Sequence, residues 1–265
     1  MQGRGERTGT KAMLFDTGGE GRELISIFLS LASASLYIMG LMEGKKGYRL
    51  FLSGMLLHLL GIIHRGFIIN GIPLTEKHDN ISFAAFSTAL TYWYFYRRKG
   101  MSELGVTALP LISLLLLTSL AYAPLNTVSP FMRSPWFYLH MFFYFVSYGF
   151  FGISSAMGLH YLWSGKGDYE LLQYKGAVHG WIMFSVALVA GSIWFFTAYG
   201  TYWLWTSREL WTTLMWFYYG LYLHVRLIKG LKGRPAAAIG CMGFPVALFT
   251  YFGVGTVIPS PPVQF

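Results

Sequence analysis

Cysteine and charge are what this 265-residue chain has least of. Cys241 is its only thiol, which excludes an intrachain disulfide and a thiolate metal cluster. No C-x-x-C-H occurs, so the chain carries no motif for covalent cofactor attachment. Asp, Glu, Lys and Arg make up only 12% of the residues, against roughly 25% in a soluble globular domain. That shortage excludes a soluble enzyme, and so much apolar residue excludes a disordered chain. A Gly-rich phosphate loop and an internal repeat are also missing, and no segment alternates polar and apolar residues long enough for a membrane β-barrel.

What is present is apolar: 54% of residues are hydrophobic and the mean hydropathy is +0.47. A spanning helix needs about 20 mainly apolar residues. That window predicts eight, near 22–42, 50–70, 82–97, 105–124, 136–160, 178–198, 210–229 and 236–257. The expected architecture is an all-α polytopic membrane protein. It has a polar N-terminal tail (1–21), a single transmembrane domain (22–257) and a Pro-rich C-terminal tail (258–265).

The net charge of +9 could signal nucleic acid, but binders of that kind carry a basic stripe on a polar chain. Here the basic residues sit in short clusters between apolar runs. Eleven follow spans one, three, five and seven: Lys45, Lys46, Arg49, Arg97, Arg98, Lys99, Lys166, Lys175, Lys229, Lys232 and Arg234. The alternate connections hold Lys77, Arg133 and Arg208. Cytoplasmic loops carry the Lys/Arg excess, so the first set is expected inside and both termini outside. Nucleic acid is not an expected partner; membrane lipid is.

Ionisable groups inside a membrane are costly and mark function by default. On this topology His64, His78 and His140 lie toward the outside, His160, His179 and His224 toward the cytoplasm, and His58 near the middle. Each can ligate haem iron, which takes neutral imidazole in an apolar aromatic slot, or simply hydrogen-bond a neighbouring helix. Arg65 shares a helix face with His58 and could meet a haem propionate or snorkel to the surface. Five of the nine tryptophans fall between Trp194 and Trp216. An interfacial belt spreads its rings over all helix ends. This concentration, in segment 191–211, instead suggests a platform for a flat ligand.

That segment resembles the tryptophan-rich signature of the CcsA/ResC cytochrome c biogenesis family. The family pattern runs W-G-x-Y-W-x-W-D-P-K-E-T-W and is followed by a helix ending Y-L-H-x-R. This chain has Tyr199-Gly200-Thr201-Tyr202-Trp203-Leu204-Trp205, then Arg208-Glu209 and Trp211, and later Tyr222-Leu223-His224-Val225-Arg226. Ser134 through His140, Gly71 through Thr75 and Lys232 through Val254 resemble further parts of the family, so the likeness covers about residues 50–257. Tyr199 stands for the first Trp, Thr206-Ser207 stand for Asp-Pro, and Gly255–Phe265 holds no counterpart of the family's second outer histidine.

The resemblance implies a protein that binds haem b, as a substrate in transit, and presents it outside for thioether attachment to a C-x-x-C-H apocytochrome c. It implies His224 as inner and His140 as outer ligand, with Trp194, Tyr202, Trp203 and Trp205 against the porphyrin. His64, His78 or His58 are possible additional ligands. A ResB/CcsB-like membrane subunit and apocytochrome c are the implied partners. The site would be a bacterial or archaeal cytoplasmic membrane, or its organellar equivalent, and the chain the haem-handling part of a cytochrome c synthase. Two alternatives stand beside it: a haem-binding regulatory or chaperone relative, and a cytochrome b-type electron carrier.

Overall fold

The computed structural model describes residues 17–42, 44–99, 102–122 and 130–254. The expected tails lie almost wholly outside those residues. Eight α-helices account for most of what is described: α1 (Thr17–Met39), α2 (Gly44–Ile69), α3 (Lys77–Lys99), α4 (Gly105–Ser119), α5 (Pro135–Ser164), α6 (Gly167–Tyr199), α7 (Ser207–Val225) and α8 (Arg234–Leu248). The last continues into a π-helical turn, Phe249–Gly253. The all-helical reading holds. Five stretches are long and apolar enough to cross a membrane: Gly44–Ile69, Gly105–Tyr122, Pro135–Ser164, Gly167–Tyr199 and Arg234–Gly253.

The helix ends follow from local chemistry. Ser134 caps α5 by accepting the Phe137 amide at 3.4 Å, with Pro135 in the first turn, where its missing N–H costs nothing. Gly165 and Gly200 close α5 and α6 in the left-handed region, at φ +71° and +74°, each donating its N–H back into the last turn. Both expected spans are too short here. α6 starts eleven residues before the predicted 178 because its polar first turns find partners. Glu170 pairs with Arg226 at 3.0 Å, and the Gln173 amide donates to the Ala237 carbonyl at 3.0 Å.

α5 is the buried axis. Of its most apolar window 72% is buried, against 17% in α2 and in α6. It packs on α3, α6 and α8, and the contact with α3 is backbone-close. A Cβ on Gly149 would stand 2.6 Å from the Ser87 carbonyl carbon, the near approach that small residues allow in membrane bundles. Polar crossties supplement the packing: Tyr148 Oη donates to the Ala247 carbonyl at 2.7 Å and Ser154 Oγ to the Gln173 carbonyl at 2.8 Å.

One end of the bundle gathers the basic clusters. There Lys166 bonds Glu103 at 2.5 and 2.7 Å and holds that carboxyl below its ordinary range. Arg234 donates to the Leu162 carbonyl at 3.2 Å. The opposite end collects Tyr122, Phe252, Phe249 and Trp211 in ring contacts.

Candidate functional site

His140 lies on α5 near the aromatic end of the bundle. Its Nδ1 is 2.8 Å from the Ala187 carbonyl of α6. A carbonyl only accepts, so Nδ1 carries the proton and Nε2 keeps its lone pair. Metal-binding imidazoles are oriented in this way. Gly191, one turn further along α6, makes room for the ring: a Cβ there would stand 2.6 Å from His140 Nδ1. Trp194 lies nearly parallel to the imidazole, 6.4 Å between centroids at 10°. The indole is held in place by its N–H to the Phe131 carbonyl at 2.9 Å and by Phe137 edge-on at 5.0 Å.

The Trp-rich segment is two-thirds helix. Through Tyr199 it forms the end of α6, and only residues 200–206 connect to α7. Tyr202 turns back to stack on Phe196 at 4.4 Å, while Trp203 and Trp205 meet edge to face at 6.0 Å. Trp205 is a left-handed non-glycine, φ +57°, and the residue is 67% exposed. Such a conformation costs about 1–3 kcal/mol and clusters at functional sites. The Trp203 indole N–H is buried without a partner. Thr206, where the family has Asp, is the N-cap of α7, and its hydroxyl bonds Glu209 three residues on. That bond joins two side chains, and the Thr206 hydroxyl makes none to the helix's own N–H groups. The aromatic rings therefore form two groups, one around His140 and one in the connection.

His224 is at the other end, in the last turn of α7. Its Nδ1–H donates to the Gly220 carbonyl at 2.7 Å, again leaving Nε2 bare. It is exposed and lines an apolar groove of about 710 Å³, with Trp181, Trp211, Leu221 and Val246 among the walls. Trp211, Leu214, Tyr218 and Leu221 recur at helical spacing and put one face of α7 into this groove. Two reciprocal bonds fix its wall: Trp181 Nε1–H to the Trp216 carbonyl at 3.1 Å, and Trp216 Nε1–H to Ser185 Oγ at 2.9 Å.

The remaining histidines are placed differently. His58 has both nitrogens engaged, by Tyr37 at 3.1 Å and Ser82 at 3.0 Å. His64 bonds Ser26 of α1, and His78 bonds the neighbouring Asp79. The partners of all three belong to α1 and α3, not to the His140 pocket. Arg65 neither snorkels nor waits for a propionate; it is 2% exposed and bonds Asp79 at 2.8 Å. His179 lies on the Phe150 ring, and His160 is buried against Tyr169.

Sequence reasoning missed Gly191, Ala187, Phe137 and the Trp181–Trp216 wall. Gly191 and Ala187 carry a readable signal, small residues four apart on one α6 face. The carbonyl that His140 uses carries none.

Comparison with known proteins places this arrangement. The model of the cytochrome C assembly protein family matches residues 76–260, more than half of the chain. The chain belongs to that family. Cytochrome c biogenesis protein CcsA of Prochlorococcus marinus strain MIT 9301 is 23% identical over 275 residues, covering 87% of this chain and 89% of the relative. In strain MIT 9215 the CcsA identity is 36% over 87 residues, 33% of this chain and 28% of the relative. CcsA of Chlamydomonas reinhardtii is 29% identical over 141 residues, 48% and 40% of the two chains. In this cytochrome c assembly protein the match takes in His140, His224 and the whole Trp-rich segment. It leaves α1 and α2, with His58, His64 and Arg65, outside.

Proposed function

We propose that this chain holds haem b in the membrane and presents it at the aromatic end for attachment to a C-x-x-C-H apocytochrome c. One observation carries the reading. The two histidines that match the family's ligand positions each have Nδ1–H tied to a carbonyl, at 2.8 and 2.7 Å, and Nε2 free beside tryptophan. His179 shares the tied Nδ1–H, at 2.6 Å to Lys175, but lies on Phe150 and not on the groove.

The residues fit the cargo. The groove beside His224 falls within the usual 300–1,000 Å³ of ligand pockets, at about 710 Å³, and its walls are aromatic. His224 would bind iron at the basic end and His140 at the aromatic end. Trp194 would lie along one pocket wall, and Tyr202, Trp203 and Trp205 would cover the exposed edge. Thioether chemistry belongs to the porphyrin and the apocytochrome cysteines; this chain orients the ring and excludes water. The orientation follows the charge: basic end cytoplasmic, Trp-rich end and both termini outside. A ResB/CcsB-like subunit would complete the inner site, and the membrane would be that of a bacterium or archaeon, or an organelle's equivalent.

Absorption spectra of purified protein, made with the partner, test this. Wild type should show a haem Soret band that falls in His140→Ala and in His224→Ala. No band in wild type would overturn haem binding. A second reading, a haem-binding relative without synthase work, draws on Thr206-Ser207 in place of Asp-Pro. A C-x-x-C-H reporter separates the two: haem without holocytochrome leaves only the binder. An electron carrier needs facing histidine pairs, whereas His140 meets Ala187, Tyr144 and Trp194.

A further inference from the structure

A polar cavity of about 10 Å³ lies between α1, α2 and α3. Ser26 and Ser30 of α1, His58 and Arg65 of α2, and His78, Asp79 and Ser82 of α3 line it. All seven are at most 6% exposed. Arg65 Nε and His78 Nδ1 both donate to the same oxygen, Asp79 Oδ1, at 2.8 and 3.1 Å. That convergence strands three buried atoms: Arg65 Nη2, His78 Nε2 and Asp79 Oδ2. Leaving a buried polar group unmatched costs about 1–3 kcal/mol, and more for a charged one.

The stranded atoms specify their ligand. A cation would face the Arg65 guanidinium, and among the described residues no group of three or more His, Cys, Asp or Glu can hold a metal. An anion would face the bare Asp79 Oδ2. What suits one donor and two acceptors is a neutral molecule that both accepts and donates. A water needs about 10–15 Å³ and two to four polar partners, and the cavity meets both conditions.

We propose that this cavity holds a water that accepts from Arg65 and donates to Asp79 or His78, and that this water completes a proton-exchanging chain. On one side Ser82 Oγ meets His58 Nε2 at 3.0 Å, and His58 Nδ1 meets Tyr37 Oη at 3.1 Å. On the other, Ser26 Oγ meets His64 Nδ1 at 3.1 Å. Each hydroxyl, imidazole and water between the ends can take a proton on one side and release one on the other, an imidazole changing tautomer as it does so, and the Tyr37 hydroxyl proton thereby exchanges with the exterior. Arg65 donates throughout and takes no part in the relay. Tyr37 is the sealed end, at 0% exposed, and the half-buried His64 is the end that meets the exterior. Nothing in this chain of groups depends on haem.

Water-edited solid-state NMR tests it on the full protein in lipid bilayers, with isotope-labelled histidine and His58→Gln and His78→Gln for assignment. The His58 and His78 rings should receive water magnetisation as fast as the half-exposed His64, whereas a dry cavity would make both lag behind it. A lag of both rings overturns the site, and a lag of His58 alone overturns the chain. Ser82→Val, which replaces the linking hydroxyl by an apolar branch, should abolish transfer to His58 and leave His78 unchanged. Undiminished transfer to His58 in that variant also overturns the chain.

Discussion

At His140 a single atom of space decides what the side chain can do. Gly191 leaves room for the imidazole to reach the Ala187 carbonyl, and a methyl there would stand 2.6 Å from Nδ1. Gly191→Ala should therefore turn the ring and free its N–H. The hydrogen bond lost is worth about 0.5–1.5 kcal/mol net. On the proposed reading, haem titration followed at the Soret band should show roughly tenfold weaker binding at His140. His140→Ala in the same background should remove the binding that remains there, and the His224 component should not change. His140 itself is readable as a candidate from its type, its depth and the tryptophans near it. Its tautomer is not, because the carbonyl that sets it comes from a residue 47 positions away.

Among the elements, α7 is held at its start by a side-chain pair. Thr206 stands at the N-cap position but makes no side-chain bond to the helix backbone; its hydroxyl donates to the Glu209 carboxylate instead. Losing an N-cap side chain costs about 1 kcal/mol, and in a chain of this size that moves the melting temperature by roughly 2–4 °C. Thr206→Ala should lower the melting temperature by that much in detergent, while Thr206→Ser, which keeps the donor to Glu209, should hold it. Equal losses in both variants would show that the hydroxyl is not what holds the start of α7. The element boundaries divide in the same way. The long apolar stretches of α2 and α4 stand out in the sequence. The first turns of α6 do not, since Glu170, Gln173 and Lys175 read as a loop until Arg226 and the Ala237 carbonyl are placed beside two of them. α3 is likewise longer than its apolar window, because Asp79 in its first turn accepts from His78 and from Arg65 inside the bundle.

For the whole molecule, the testable quantity is direction across the membrane. The structure puts Lys45 and Lys232 beside helix ends at the basic end and Arg133 at the aromatic end. Cys241 is buried and is the only native thiol, so Cys241→Ser gives a clean background for single cysteines. A membrane-impermeant maleimide added to intact cells should label Arg133→Cys and spare Lys45→Cys and Lys232→Cys until the membrane is opened. The reverse pattern would put the tryptophans in the cytoplasm and end the case for presenting haem outside.

The sequence by itself determined the class of the protein, its helical content, its charge asymmetry and its family. Each of these rests on properties that sum along the chain or repeat locally: hydropathy over a window, basic residues per connection, a run of tryptophans. The tertiary structure decided which polar groups are partners. It tied His140 to Ala187, left His224 open on an apolar groove, and closed Arg65, His78 and Asp79 around a cavity. Such pairings depend on angles between helices far apart in sequence, and a polar atom in a low-dielectric interior costs most when its partner is missing. That cost is why each buried histidine's hydrogen-bond partners were decided only when the helices came together.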